Sequence, residues 1–252
     1  MALFNDGPIS SLEDLRVYET SLLDTASIEG VSLSNKLELA QQELASEVLR
    51  FLIQQLEPTE SVTPGKLAQV VATEPLRRWH ALRTLTAFFR DVHHNQLNDR
   101  YRAKWVAYEA EAKSAARLLW EVGVGLVRNP IGRPTPPDLT TQVSDDEFPQ
   151  LLFRTSWVTA SGEESASSEP LLFVGGMGAQ PRLSVHNPPA RVTGWHVYAG
   201  PTPSELMRQT STAILPSDAW VMPANILVTG PEPSFGQVPD LYVRLQRLLL
   251  RG

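Results

Sequence analysis

The sequence predicts an α+β protein of two domains, an N-terminal α-helical bundle of about four helices and a C-terminal β-sandwich. Apolar residues recur every three or four positions up to residue 122 and alternate with a period of two from residue 150 onward. A proline-rich stretch separates the two patterns. We therefore expect a helical assembly domain over 1–128, a linker over 129–147, a sandwich over 148–230 and a docking tail over 231–252.

The helical half contains four segments with helix signals, at 10–28, 34–57, 75–97 and 99–122. Ser10 or Ser11 is suited to cap the first helix, and the acidic Glu13 and Asp14 are favourable in its first turn. Pro58 ends the second helix, and a proline at 75 suits the first turn of the third.

Aromatic side chains recur along the third and fourth predicted helices. They are Trp79, Phe88, Phe89, Trp105, Tyr108 and Trp120. Helical spacing of this kind is typical of a bundle core, whereas aromatic and arginine side chains together are also enriched at subunit interfaces. We favour the core and keep the interface as the alternative.

The stretch at 129–149 reads NPIGRPTPPDLTTQVSDDEFP. Its prolines and its lack of a helical period predict a semi-rigid linker. After it, LLFRTSWV alternates, and Phe153, Thr155 and Trp157 share one face. Further short apolar runs are separated by Gly, Pro and Ser at the spacing of a small sandwich.

Composition excludes several classes of function. The chain has no cysteine, which rules out disulfides, thiolate metal sites and cysteine nucleophiles. No run of about 18 apolar residues is present, so we expect no transmembrane helix. A net charge of −6 argues against general DNA coating.

Charge is unevenly distributed along the helical half. Residues 1–60 hold eleven acidic and three basic side chains, whereas residues 76–104 hold seven basic and two acidic ones. Pairing of helices within one subunit and head-to-tail contact between subunits both fit this pattern. For the arginines, lining a DNA channel is a third interpretation. We favour contact with the acidic helices of a neighbour, because a channel needs fast passage of DNA rather than tight binding.

The sequence contains only weak signals for a catalytic or a metal site. His93 and His94 are adjacent, so their rings do not share a helix face as two zinc ligands would. The chain has no G-x-S-x-G motif, and its paired acids lie in predicted turns. We therefore expect no enzyme activity, no metal and no cofactor.

Two stretches in the second half carry a resemblance to a known fold. SWVTASGEESASSEP and NPPARVTGWHVYAG resemble fibronectin type III and immunoglobulin-like modules. The resemblance rests on Trp157, on the turn around Gly162, and on the aromatic pair Trp195 and Tyr198. It implies that Trp157, Trp195 and Tyr198 belong to the sandwich core.

The helical half is similar to head–tail connector (adaptor) proteins of tailed bacteriophages. The similarity rests on an acidic opening helix, the Leu-, Ala-, Gln- and Glu-rich helix after it, and LNDRYRAKWVAYEAEAKSAARLL. It implies a neck protein of the virion, made in the host cytoplasm, in a ring of twelve subunits below the portal protein. Further tail or neck proteins would be partners, and DNA would pass through the channel without specific binding.

The residues expected to contact a neighbour or a partner come from the charged helices and from the C-terminus. They are Glu13, Asp14, Glu38, Glu43, Glu47, Arg77, Arg78, Arg83, Arg90, Leu241, Tyr242, Leu245, Leu248 and Leu249. The last five include leucines at helical spacing in a segment too short to be a stable helix alone. We expect this tail to dock on a neighbouring subunit or a partner.

Two alternatives remain open at this stage. A protein that binds a receptor or carbohydrate predicts an exposed aromatic platform at Trp195 or Trp220. An enzyme with its site between the two halves predicts a cluster of acids and histidines with shifted pKa values.

Overall fold

The computed structural model describes residues 1–55, 64–96 and 99–245. Over these residues the chain is α+β, with five α-helices and nine strands in antiparallel sheets. It divides into two units. The helical unit comprises Gly7–Arg128 and the described residues from Pro239 onward, and the strand unit comprises Met1–Asp6 and Asn129–Val238.

The helices of the helical unit are α1 (Leu12–Tyr18), α2 (Leu22–Glu29), α3 (Leu33–Gln55), α4 (Glu74–Gln96) and α5 (Arg102–Val122). Short 3₁₀ turns at Pro64–Gln69 and Asp99–Tyr101 precede α4 and α5. In the described part of the chain, no helix combines the length and apolarity that crossing a membrane requires.

The predicted helix over 10–28 is two helices. Ser11 begins α1 with a capping box, in which its side chain and that of Asp14 each accept a backbone N–H of the other. The chain leaves the helical conformation at Glu19, whose φ and ψ are −142° and 95°. The Glu19 carboxylate accepts hydrogen bonds from Lys104 and Ser21, which holds this break in place.

Helix α4 is the central helix of the unit. Every residue from Trp79 to Phe89 is buried except Arg83, which is half-buried. It packs against α1, α3 and α5. The buried hydroxyls of Thr84 and Thr86 donate to backbone carbonyls one turn earlier, so this polarity is satisfied within the helix.

A two-stranded sheet completes the helical unit. Strand β1 (Val124–Leu126) follows α5 directly and pairs antiparallel with β9 (Leu241–Val243). A glycine is needed where they meet. Gly123 has a φ of +110°, and a Cβ there would lie 2.8 Å from the Arg244 side chain and 3.0 Å from the Val243 carbonyl oxygen.

The strand unit contains β2 (Asp138–Phe148), β3 (Leu151–Thr159), β4 (Leu171–Phe173), β5 (Gly176–Ser184), β6 (Val192–Gly200), β7 (Met207–Arg208) and β8 (Trp220–Val221). One sheet has the order β4-β3-β6-β7 and the other β2-β5-β8. A single apolar core includes Phe153, Trp157 and Trp195 from the first sheet with Leu183 and Trp220 from the second. Both sheets therefore contribute to one core.

The predicted linker over 129–147 needs correction. Residues 138–148 form β2, which pairs along its length with β5, and Ile131 belongs to the core. Most of β2 is exposed on both faces, so its sequence has no apolar alternation. Its partner strand, rather than its own pattern, determines its structure.

The boundaries of the two units also differ from those predicted. Residues 1–6 belong to the strand unit, where Leu3 and Phe4 are buried. The predicted tail over 231–252 is divided, because residues up to Val238 lie in the strand unit and β9 lies in the helical unit. Leu241 and Tyr242 are in a strand rather than at helical spacing, because β1 offers them a backbone to pair with.

Candidate interaction surfaces

Several of the predicted interface charges pair within the helical unit. Arg83 Nε lies 2.7 Å from Glu43 Oε2, and an Arg77 nitrogen lies 3.8 Å from Asp14 Oδ2. Lys36 pairs in the same way with Asp91. Part of the charge asymmetry in the sequence is therefore neutralised inside one subunit, as the first of our interpretations predicts.

The other predicted charges lie at the surface. Glu13 pairs with Arg16 on the same helix turn, and Glu38 accepts a hydrogen bond from Gln42. Arg78 and Arg90 are exposed, and neither forms an ion pair with another residue in the described ranges. Glu47 is half-buried on α3. Arg78 and Arg90 therefore reach solvent without an ion pair among the described residues.

Arg90 borders a small groove between α3 and α5. The cavity is about 190 Å³ and is lined by Glu43, Arg83, Arg90, Trp105 and Glu109. A hydrogen bond from Lys113 lowers the pKa of the Glu109 carboxyl. The groove thus presents both signs of charge beside an indole ring, which fits a polar contact better than it fits acid–base catalysis.

Glu19 forms a second polar centre between α1 and α5. Burial would raise the pKa of its carboxyl, but hydrogen bonds from Lys104, Ser21 and Tyr108 outweigh burial and lower the pKa. Burial, together with the Glu19 charge and hydrogen bond, raises the pKa of the Tyr108 phenol to about 12. These groups hold α1 against the first half of α5, where the Tyr108 hydroxyl also donates to the Tyr18 carbonyl at 3.2 Å.

His80 is a buried histidine in the middle of the helical unit. Its Nε2 lies 3.1 Å from the Leu37 carbonyl oxygen, and its Nδ1 faces the Ser10 hydroxyl. Because a carbonyl only accepts, Nε2 carries the proton and Nδ1 accepts from Ser10. Burial lowers the pKa of His80 to about 4, so it is neutral at pH 7.

Half of the aromatic side chains at helical spacing are buried in the core, and Trp105, Tyr108 and Trp120 are half-buried. Trp79, Phe88 and Phe89 are buried, and Trp120 stacks on Phe51 with ring centroids 4.5 Å apart. Trp79 meets Trp120 edge to face. The interface interpretation is therefore excluded for the three buried rings and stays a hypothesis for the three half-buried ones.

The end of α5 and strand β9 form an apolar surface that is open to solvent. Leu118 and Val122 lie one turn apart on α5, Leu245 N–H donates to the Trp120 carbonyl, and Tyr242 lies beside Gly123. Tyr242 is 43% and Leu245 is 49% exposed. We call Leu118, Val122, Tyr242 and Leu245 the α5–β9 surface. Of the other predicted tail residues, Leu241 is half-buried, and Leu248 and Leu249 lie outside the described residues.

Exposed apolar side chains also lie on α1 and α2, where the sequence did not predict them. Val17 is 82% and Ile28 is 77% exposed, and Leu23 also faces solvent. Leu23 and Ile28 are five residues apart, about 140° around the helix axis, so they lie on different sides of α2. On these two helices only Leu15 and Leu22 are fully buried, because the break at Glu19 changes the direction of the chain. The available signal was that Val17 and Ile28 do not lie at helical spacing from Leu15 and Leu22.

The aromatic residues predicted for the sandwich core lie on two faces of one sheet. Trp157 and Trp195 are opposite each other in register and belong to the apolar core. Tyr198 is also buried. It follows Trp195 by three positions in the strand, so its side chain lies on the opposite face of the sheet. There its hydroxyl donates to Glu164, as does the hydroxyl of Ser156.

This polar face of β3 and β6 contains a serine, a histidine and a glutamate without forming a catalytic triad. Ser156 donates to Glu164 rather than to His196, so this serine is not paired with the imidazole as a nucleophile requires. His196 Nδ1 instead lies 2.6 Å from the hydroxyl of Thr210, which is itself buried. Burial lowers the pKa of His196, and burial raises the pKa of Tyr198. Ser156 is fully buried. The cluster satisfies buried polar groups.

The carbohydrate-binding alternative predicts an exposed aromatic platform at Trp195 or Trp220. Trp195 is fully buried and Trp220 is only 9% exposed. Neither side chain forms the solvent-facing platform that this alternative predicts. Among the described residues, no group of three or more His, Asp or Glu side chains is placed to hold a metal ion.

Known proteins give no further guide to the role of these surfaces. Comparison with protein-family models and with curated proteins found no match to the chain.

Proposed function

We propose that the chain is a structural virion protein of a tailed bacteriophage, a subunit of the connector ring that joins the portal to the tail at the neck. In this proposal the helical unit is a bundle that assembles into the ring. The strand unit is an immunoglobulin- or fibronectin III-type sandwich that decorates the neck. The partners are further copies of the chain, twelve in all by resemblance, the portal protein, and tail or neck proteins.

The α5–β9 surface carries this proposal. The described chain ends in the helical unit, where Leu245 N–H donates to the Trp120 carbonyl and the exposed Tyr242 lies beside Gly123, at the end of α5. Full burial of one such side chain contributes about 1.5–3 kcal/mol relative to exposure. An apolar surface of this kind, with Arg244 and Arg117 at its rim, favours a protein partner.

Ring formation requires two different surfaces on each subunit. A closed ring is built from heterologous contacts, in which one surface of a subunit meets a different surface of the next. The helical unit has exposed apolar side chains on α1 and α2 in addition to the α5–β9 surface, and exposed Arg78 and Arg90 with Glu38 and Glu47 remain for contacts to the portal. These features support assembly through the helical unit.

The role of the strand unit as a decoration rests on its self-sufficient core. Its two sheets share Phe153, Trp157, Leu183, Trp195 and Trp220, so its largest side chains are used in folding. With a net charge of −6 for the whole chain, we propose that DNA passes through the ring without specific binding. The proposed role needs no cofactor, membrane or catalysis.

Binding to a portal ring tests the proposed role. The full chain is mixed with purified portal proteins of candidate phages and separated by sedimentation, and the portal-containing fractions are viewed by electron microscopy. We expect an added ring of density on one end of a cognate portal. Absence of the chain from every portal-containing fraction would overturn the connector role. A portal-sized protein ring of unrelated symmetry serves as the control.

A further inference from the structure

The β2-β5-β8 sheet of the strand unit ends in a long strand that has no partner on its outer side. Strand β2 pairs with β5, and among the described residues no backbone hydrogen bond joins it to any other strand. Residues 138–143 keep one continuous register with β5, and the register shifts only after Val143. The outer side of these six residues is therefore open to another chain.

The open backbone groups of β2 belong to particular residues. Met222, directly after β8, donates its N–H to the Pro181 carbonyl at 2.9 Å, so the backbone of Pro181 faces β8 rather than β2. Thr141 lies opposite Pro181 in the ladder, and this pair is therefore not hydrogen-bonded. The N–H and C=O of Thr141 point to the outer side. Because these directions alternate along a strand, those of Leu139 and Val143 point there too.

The side chains along this edge suit an added strand. Val143 is 94% exposed, and Thr140 and Thr141 are exposed as well. β-Branched residues of this kind favour a sheet. Leu139 packs against the apolar core and anchors the start of the strand. Pro137 precedes the open residues and the shift in register follows them, so both limit the length of the edge without covering it.

The charge beside this edge is acidic and in part unpaired. Asp145, Asp146 and Glu147 follow the open residues and are exposed. None of these three forms an ion pair within the described ranges, whereas Asp138, at the other end of the strand, pairs with His186. A second copy of β2 would bring four more acids and no base to the edge. Like charges oppose such pairing, so the edge favours a basic strand.

We infer that the free edge of β2 binds an extended, basic segment of another protein, which adds to the sheet as a fourth strand antiparallel to β2. Its backbone pairs with Leu139, Thr141 and Val143. Lysine or arginine side chains near its N-terminal end lie beside the acids at 145–147. Backbone hydrogen bonds supply the affinity, and the charges set the direction and the selectivity. The site lies within the strand unit and does not depend on ring assembly.

Thr141→Pro in the full chain tests the edge. It removes one outward N–H and places a ring where the added strand would lie, and it leaves the hydrogen bonds to β5 intact. Thr141→Ala is the matched control, because it shortens the same side chain and keeps the N–H. Asp145→Lys with Asp146→Lys reverses the charge beside the edge. Circular dichroism and melting curves verify that each variant folds.

The probe is a fluorescent peptide in which two N-terminal lysines precede alternating valine and threonine, and anisotropy measures its binding. We expect Thr141→Pro and the charge reversal each to weaken binding at least about tenfold, and Thr141→Ala to change it less than about twofold. A peptide with glutamates in place of the lysines should bind the wild type at least about tenfold more weakly.

Amide hydrogen exchange of the full chain locates the bound peptide. The amides of Leu139, Thr141 and Val143 should become protected when the lysine peptide is added. Those of Thr140 and Gln142, which face β5, should be protected with and without it. This alternating pattern distinguishes an added strand from a peptide held by charge alone.

Several results would overturn this site. They are no binding of the lysine peptide to the wild type, equal binding of the lysine and glutamate peptides, unchanged binding to Thr141→Pro, and protection that avoids the outward amides. Self-association of the wild type that Thr141→Pro alone prevents would make a second copy the occupant and overturn the basic strand. If Thr141→Pro does not fold, the charge reversal and the exchange pattern decide. Portal binding is tested separately, so either proposal can fail alone.

Discussion

His80 is a residue whose protonation state is determined by its surroundings. With Nε2–H donated to Leu37 and Nδ1 accepting from Ser10, a second proton on the ring would lose the Ser10 hydrogen bond in its present direction. Burial is the largest cause of its low pKa, and the more distant Asp14 charge opposes it only in part. The neutral ring therefore contributes stability that depends on pH.

We expect His80→Gln to flatten the pH dependence of stability in the acid range. Unfolded His80 gains a proton near pH 6.5 and folded His80 only near pH 4, so stability present above pH 6.5 is lost as the pH falls through this window. The loss is at most about 3 kcal/mol for the wild type. Urea denaturation at several pH values, followed by helical circular dichroism, measures it. His94→Gln, at an exposed position on the same helix, is the control, and equal pH dependence in wild type and His80→Gln would contradict the account.

Tyr198 has a structural role on the polar face of the strand unit. We expect Tyr198→Phe to lower the free energy of unfolding of the strand unit by about 1–3 kcal/mol, because Glu164 loses a buried hydrogen-bond donor. Tyr242→Phe removes a hydroxyl from a half-exposed ring and should change stability by less than about 0.5 kcal/mol. Denaturation curves of both variants provide the comparison, and equal effects would refute the role assigned to the Glu164 contact.

Among the elements, the long helices were predictable from sequence. Helix α3 has Leu37, Ala40, Leu44 and Val48 buried at helical spacing, so its own pattern identifies the face it buries. Helix α4 is buried on nearly all sides, and its aromatic residues predict this burial from the sequence. For such segments the apolar period and the tertiary packing agree.

Strands β2 and β9 were not predictable, because their partners determine them. The β2 sequence DLTTQVSDDEF is polar on both faces and follows a run of prolines, and it becomes a strand by pairing with β5. The leucines after Asp240 have helical spacing, but Leu241 pairs with Leu126 across the sheet. A short segment with a free strand nearby gains more backbone hydrogen bonds by pairing than it gains as an isolated turn of helix.

The turn between β4 and β5 requires a glycine at 175. A Cβ on Gly175 would lie 2.2 Å from the Phe148 carbonyl oxygen, whereas one on Gly176 would meet nothing within 4 Å. We expect Gly175→Ala to destabilise the strand unit by about 1–3 kcal/mol through forced backbone displacement. Gly176→Ala should change stability by less than about 1 kcal/mol. Thermal unfolding of the two variants compares adjacent positions, and equal melting temperatures would show that the close approach is unimportant.

At the scale of the whole molecule, the two units are not continuous in sequence. The N-terminal ammonium donates to the Gln237 carbonyl at 3.1 Å, and the Asp6 carboxylate accepts the Arg133 N–H at 2.8 Å, so residues 1–6 are tied into the strand unit. The chain then forms the helical unit, returns to the strand unit at 129 and ends in the helical unit. A sequence divided by its proline-rich stretch suggests two consecutive domains, because composition does not record which distant segments pair.

The candidate site was also predicted only in part. The charge asymmetry between residues 1–60 and 76–104 is real, but Glu43 pairs with Arg83 and Asp14 lies near Arg77 in the same chain. Charge counts identify which groups attract each other and leave open whether the attraction lies within or between subunits. Tyr242 and Leu245 were among the predicted contact residues and are exposed, whereas Val17 and Ile28 became visible only once the chain was folded.

The mass of the purified full chain in solution tests the central claim of head-to-tail assembly most directly. Light scattering, with electron micrographs of the same sample, measures it for the wild type alone and after addition of a candidate portal. We predict closed rings of one defined mass, either alone or on the portal. A wild type that remains one chain of 27.9 kDa with every portal would contradict the account.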